Sequence, residues 1–586
     1  MPLYLEELTK TIVESKITAD SNRQTPAIPA TLQGSLMARL DQMASAKQVA
    51  QFAAALGREF SYRLLQAIVD IEPSQLKRDL ARLIDAELLT VSGTLPDANY
   101  QFKHALIVDA AYQSLLRSTR RRVHAAIAAA IARELPDKAA QHPEWIAYHH
   151  TAAGNPDEAS HHWLRAAEVA VQRCSYIEAS KQLSSTFEAL DQLNEGSDTQ
   201  LRELQAQLLM GAVHSNLSGQ GCDERLNAYH RAHALNQHLG KPLDPLAVLL
   251  PLQRCHTVRG EVEAACETRE EIAKLLGTTT DVRLKTSACR SLGTDCFYDG
   301  HFERARHYLE EGASLINSPE ICDDPFDQGQ DVRLHCLNWL SWTLWMLGFP
   351  DQAVRHSHDA RQLAGEHAYS YCQALHWSAV LHIMLSNPEE VLEYANTLRS
   401  ISQAQSWPQW QASADIFLGW TDSLNSVHSA EGLRRMQLGI DNWRNTGVNK
   451  AEPFWLWLLA DAQHRNAQAE QAIDTIDRAL LRTVDASEYW WETEIHLLKA
   501  RLINTVGQPD SILCAQLDTA LSVARQQGSR MLELRTLTSA CDCLGHSAHQ
   551  QQYLEQLHAL TPRFDEGHDV SDLRTATEIL KKNATQ

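Results

Sequence analysis

No stretch of this chain approaches the roughly 18 consecutive apolar residues that a membrane-spanning helix needs. The most apolar segment, FWLWLLA at 454–460, stops at Asp461. The opening residues MPLYLEELTKTIVE have neither a basic n-region nor a small-residue cleavage site, so no signal peptide is expected. A reducing, cytoplasmic location and no membrane association are the corresponding expectations. The 12 cysteines include no C-x-x-C pair. Cys541 and Cys543 sit two apart on a helical segment and point to different sides, so structural thiols are expected and no metal site. Nothing matches G-x-x-x-x-G-K-[ST], G-x-S-x-G or H-E-x-x-H, which removes the phosphate loop, the nucleophile elbow and the helical zinc pair. No catalytic residues and no cofactor are therefore expected.

Glycine and proline are sparse, at 25 and 19 of 586 residues, while 44% of the chain is hydrophobic, so it folds rather than staying disordered. Lys and Arg number 53 against 73 Asp and Glu, a formal charge of -20. That balance argues against wrapping nucleic acid over the whole length and leaves only local basic patches.

What is present is mostly helical. Leu3, Leu5, Leu8, Ile12 and Val13 suit one amphipathic helix, followed by the polar linker DSNRQTPAIP at 20–29. From 30 to about 125, short helical patterns run through TLQGSLMARLDQM, KQVAQFAAALG, SYRLLQAIV and PSQLKRDLARLIDAELL. In the last, Leu76, Leu80, Leu83 and Ile84 share a face and Pro73 suits a first turn. LLTVSG (88–93) and YQFKH (100–104) read as two short strands. Several helices followed by a small hairpin is the winged-helix order. The segment ALIVDAAYQSLLRSTRRRVHAAIAAAIARELP then returns to helix by composition.

After 140 a loose repeat takes over, in which a turn former precedes an Ala-containing helix. Examples are GNPDEASHHWLRAA (154–167), GHFERARHYLEEG (300–312), GFPDQAVRHSHDARQLAG (348–365) and RNAQAEQAIDTIDRAL (465–480). A small residue lets two helices approach while the turn reverses the chain, as in antiparallel tetratricopeptide-like pairs. NSPEICDDPFDQGQD at 317–331 reads as an intervening loop, and EGHDVSDLRTATEILKK as a closing cap helix. The expectation is an all-α chain: a lid-helix remnant and linker over 1–29, a winged helix over 30–125, and a right-handed solenoid in two parts, 126–330 and a Trp-rich 331–586.

The residues resemble one group of large bacterial proteins, which join a class III nucleotide cyclase domain, a STAND-type AAA-related ATPase and a long helical-repeat tail. Pro2, Leu3, Tyr4, Glu6, Glu7 and Leu8 resemble the end of the ATPase lid. IPATLQGSLMARLDQM (28–43), AAALGREFSYRLL (53–65), LIDAELL (83–89), YQFKHALIVDAAYQSLLRSTRRRVH (100–124) and AYHHTAAG (147–154) resemble its winged helix and first repeat. WPQWQASADIFLGWTDS (407–423), GLRRMQLGIDNWRNTG (432–447), EPFWLWLLADA (452–462) and EYWWETEIHLLKARLI (488–503) resemble its tail. The phosphate loop and the cyclase aspartates have no counterparts here. The resemblance therefore implies a non-catalytic regulatory and sensor part. Its partner would be an ATPase or cyclase module, in cis or encoded upstream.

Two surfaces stand out as candidates. Lys103, Arg117, Arg120, Arg121 and Arg122 could form a docking or nucleic-acid patch, since phosphate contacts need convergent cations. Docking is favoured over duplex binding, because Lys77 and Arg78 on the presumed recognition helix share it with Asp79 and Asp85. Of 14 tryptophans, 12 follow residue 338. Trp339, Trp342 and Trp345 read as core; for the others core packing is the favoured reading, and the alternative is that Trp420, Trp455 and Trp491 with Glu452 and Glu494 line a groove for a peptide or small ligand. The pairs His149–His150 and His161–His162 each offer at most one ligand to any site, because adjacent helical residues diverge, and are read as core or solvated side chains.

Overall fold

Phe60 is the residue that turns the first helices into a winged helix. The computed structural model describes residues 32–323, 326–327, 330–545 and 549–584, so the lid helix and linker expected over 1–29 lie outside it. Helices Leu32–Asp41 and Ser45–Leu56 lead into strand β1 (Glu59–Ser61), followed by helices Tyr62–Ile68 and Pro73–Asp85 and strands β2 (Leu89–Ser92) and β3 (Asn99–Phe102). The antiparallel sheet runs β1-β3-β2, with Phe60 opposite Tyr100 and Val91 on its other side. Phe60 stacks on Tyr100 at 5.7 Å between ring centroids, a cross-strand aromatic pair that holds β1 in place. Sequence patterning foresaw the hairpin but not β1, most of which falls between two helical patterns.

Leu76, Leu80 and Leu83 are buried against Val49, Ala50 and Ala53, as their spacing predicts. Asp79 on the same helix is fully buried and accepts hydrogen bonds from Ser45 Oγ at 2.7 Å and Gln75 Nε2 at 3.0 Å. It braces two helices instead of facing a ligand. The long helix expected after residue 105 is two, Ala105–Gln113 and Arg117–Glu134.

Beyond them the chain runs as antiparallel helix pairs, a winged helix joined to a tetratricopeptide-like α-solenoid. The hairpin turns share one hydrogen bond. The N–H of Asn155, Glu261, His301, Phe349, Asn387, Gln468 and Gln508 each donates to the carbonyl five residues earlier, at 2.8–3.2 Å. The residue before each donor has a positive φ, the left-handed helix stop. The segment read as a loop at 317–331 carries a short helix, Pro319–Asp323, and two paired two-residue strands, β4 (Phe326–Asp327) and β5 (Gln330–Asp331).

Two compact units divide the chain between Arg202 and Glu203. Within the second, the coil winds onto itself. Asn449 N–H donates to Val258 O at 2.8 Å, Tyr489 N–H to Tyr298 O at 2.7 Å, and Ser529 Oγ to Met346 O at 2.7 Å. Turns 183 residues apart in sequence therefore touch. This closure explains the inner helices: in Val332–Met346 every residue except Arg333 is buried, because neighbours cover all its sides. All the cysteines are free thiols. Among the described residues no helix is long and apolar enough to cross a membrane.

Candidate functional site

Closure of the coil buries eleven of the twelve late tryptophans, and Trp377 is half-buried. Trp339, Trp342, Trp377 and Trp490 pack together on the axis, with centroids 4.2 Å apart for Trp339–Trp377 and 5.5 Å for stacked Trp342–Trp490. The space they leave is ≈ 90 Å³, room for a few waters and not for a ligand. Two carboxylates on this axis are held internally. Asp295 accepts from Gln253 Nε2 at 2.6 Å and Thr257 Oγ1 at 3.1 Å, and burial raises its carboxyl to about 6. Glu488 accepts from Trp490 Nε1 at 2.6 Å and from the Ala451 N–H.

His376 lies on the same axis and bonds Ser413 Oγ at 2.6 Å through Nδ1. Burial pushes its imidazole down to about 3. The unfolded chain, with an ordinary histidine near 6.5, therefore binds a proton that the folded chain refuses. The stabilisation is complete above about pH 6.5 and is lost progressively toward pH 3, on the order of 5 kcal/mol in all. Replacing both partners, His376→Phe with Ser413→Ala, is expected to flatten the acid limb of a urea-unfolding stability profile relative to the wild type.

A second space, ≈ 780 Å³, opens where the ends of several inner helices meet the last helix, and its size suits a small ligand. Helix Glu452–Arg465 contributes Trp457, Asp461, His464 and Arg465; helix Glu492–Thr505 contributes Glu494, Arg501, Asn504 and Thr505. Helix Arg530–Leu544 adds Arg535 and Ser539, helix Pro408–Ser423 adds Trp420, and helix Ser571–Ala584 adds Asp572. Arg535 is the organising charge. Its Nε and Nη2 donate to Asp572 at 2.8 and 3.0 Å, its Nη1 to Glu494 at 3.2 Å, and Nη2 also to Met384 O, while the guanidinium lies 4.7 Å over Trp345. Burial alone would lower its pKa; Asp572 and Glu494 reverse that and raise it. Asp461 pairs with Arg465 at 2.9 Å. With these acids neutralised, Arg501 is left donating to the neutral Ser539 Oγ at 2.7 Å. Asp542 and Glu578 also border the space but are solvent-exposed.

Three residues of this lining carry a nitrogen that is buried and has no partner among the described residues: Trp420 Nε1, Trp457 Nε1 and His464 Nδ1. Burial keeps the His464 pKa low, against the pull of Asp461.

Of the groove residues expected from sequence, the structure brings Trp420 and Glu494 to this chamber. Trp455 and Trp491 are buried in the packing beneath it, with Phe454 against both at 5.1 and 5.3 Å. Glu452 is buried between Arg444 and Arg482, at 2.7 and 2.8 Å. Trp457, His464, Arg501 and Arg535 were missed. Their signal was polar spacing: Trp457, Asp461, His464 and Arg465 recur at helical intervals down one face of a helix otherwise apolar.

The basic residues are placed separately. Lys103 pairs with Glu87 at 3.3 Å. Arg120 donates to the carbonyls of Gln113 and Leu115 at 3.3 and 3.2 Å and covers Tyr112, closing the end of the preceding helix. Arg121 lies against the Gly154 turn, while Arg117 and Arg122 are exposed.

No protein-family model matches the chain. It is 22% identical over 548 residues to an uncharacterized protein, R02095, of Rhizobium meliloti (strain 1021), covering 91% of this chain and 52% of that one. The chain thus spans about half the length of this curated relative. Solved structures similar to it include a STAND protein with a tetratricopeptide repeat sensor from Pyrococcus horikoshii, at 12% identity and TM-score 0.36, over 75% of this chain and 67% of that one. A Rap protein complexed with competence and sporulation factor matches at 11% and 0.33, over 73% and 98%. The apo quorum sensor NprR from B. thuringiensis matches at 14% and 0.36, over 60% and 97%. Likenesses this distant carry no argument about function.

Proposed function

We propose that the chain is a non-catalytic sensor and protein-interaction module whose ligand enters the chamber around Arg501. The observation that carries this reading is the chamber itself, lined by Trp420, Trp457 and His464 beside Arg501, which donates to the neutral Ser539 Oγ and has no carboxylate partner among the described residues. Indole faces beside a guanidinium suit a ligand bearing a carboxylate next to an apolar group. Ligand in the chamber would bridge the helices that line it and favour one winding of the coil, provided its affinity differs between two windings. The winged helix would pass that state to an ATPase or cyclase module, in the same protein or a separate chain. The sequence resemblance supports this output; in this reading 30–125 is the winged helix, and 126–330 and 331–586 are the two parts of the solenoid.

The test is calorimetry of the purified chain with N-acetylated apolar tetrapeptides, compared with the same peptides amidated at the C-terminus. Saturable binding of the free acids, lost on amidation and weakened about tenfold or more by Arg501→Glu, is the expected result. Absence of binding by both sets, or binding that Arg501→Glu leaves unchanged, overturns the reading.

A further inference from the structure

The first histidine-bearing hairpin, far in sequence from the chamber, holds a second candidate site. His150 is in the last turn of helix Pro143–Ala153, and Glu158 and His162 lie four apart at the start of helix Pro156–Gln172. The turn at Gly154, with φ 75°, folds the second helix back so that all three side chains meet. Ligand atoms from His150, Glu158 and His162 lie within 4.8 Å of one another. The two imidazole rings are parallel to within 2°, with centroids 5.5 Å apart. His150 Nδ1 is buried with no partner among the described residues, and the His162 Nε2–Glu158 Oε2 separation of 4.0 Å is too long for a hydrogen bond.

We infer that His150, Glu158 and His162 form a binding site for a first-row divalent cation, zinc foremost. Zinc–nitrogen and zinc–oxygen bonds of about 2.0–2.2 Å set tetrahedral ligand atoms roughly 3.4 Å apart. Side-chain rotations that draw the three atoms together by about 1 Å complete that geometry, with water in the fourth position. Two imidazoles and one carboxylate select zinc, cobalt or nickel over magnesium or calcium, which favour all-oxygen shells. Each adjacent pair supplies one ligand, His150 from one and His162 from the other. The sequence reading expected no metal because it did not foresee that Gly154 would bring the two pairs together. The ion would clip the hairpin beside the Trp163 Nε1–Thr151 Oγ1 hydrogen bond of 2.9 Å.

Titration of the EDTA-treated full chain with zinc chloride, and with cobalt chloride for its visible bands, tests the site. One tight equivalent with four-coordinate cobalt absorption is expected, weakened about tenfold or more by His150→Gln, Glu158→Gln or His162→Gln. His161→Gln, at the exposed neighbour, is expected to change nothing. With 27 histidines in the chain, weak additional binding is expected to survive every variant. If a variant unfolds by circular dichroism, diethyl pyrocarbonate labelling of the wild type decides, with zinc protecting His150 and His162. No tight equivalent, unchanged affinity in the folded variants, or no protection overturns the inference.

Discussion

Replacing Arg535 with methionine is expected to destabilise the Glu203–Gln586 unit by about 3–5 kcal/mol, read as a shift of its urea-unfolding transition. The side chain is only 11% exposed, its guanidinium is paired with both Glu494 and Asp572, and it donates to the carbonyl of Met384. Methionine keeps the stem that covers Trp345 but leaves the two carboxylates without their cation. The cost lies mainly in those orphaned charges, not in the lost attraction. The triple variant Arg535→Met, Glu494→Gln, Asp572→Asn is therefore expected to recover a large part of the loss. If the single variant unfolds at the wild-type urea concentration, Arg535 does not hold the last helix to the coil.

Arg535 also shows where sequence reading stops. Helical spacing located the hairpins, and the order of short helices then two strands located the winged helix. Both are local signals, carried by residues three to four or two apart. Strand β1 escaped because only Glu59–Ser61 pair, and their partners lie 40 residues downstream. The break between Gln113 and Arg117 has no glycine or proline, since Arg120 caps the exposed carbonyls instead. The turn position that glycine holds at 260 and 300 is taken by Ser386 and Ala467 in other hairpins, so glycine alone does not mark every turn. Lining of the chamber was half legible. Trp420 and Glu494 were singled out, but Trp455, Trp491 and Glu452 could not be told from chamber residues until the covering helices were placed. An inner helix buried on every side has no polar face to betray its orientation, and the contacts that bury it are set by distant turns.

The tightest of those turn contacts yields the other large prediction. Gly221 packs directly on Gly447, so a Cβ at Gly221 would fall 2.0 Å from the Gly447 carbonyl oxygen and 2.8 Å from Val448 N. Backbone atoms cannot rotate aside as a side chain would. Gly221→Ala must therefore separate the two turns, straining the Arg259 Nη1–Gly221 O hydrogen bond of 2.6 Å and the nearby Asn449–Val258 pairing. A loss of about 3 kcal/mol or more is expected, at the upper end for a single methyl group. Hydrogen exchange should speed up together at the turns near 221 and 447, because the contact opens on both sides. Gly277→Ala is the matched control: it adds the same methyl where nothing lies within 4 Å and should stay within about 0.5 kcal/mol of wild type. Equal effects from the two substitutions would mean the coil does not close at Gly221. The buried tryptophan axis would then need another cover, because the turn contacts are what seal the inner helices from water.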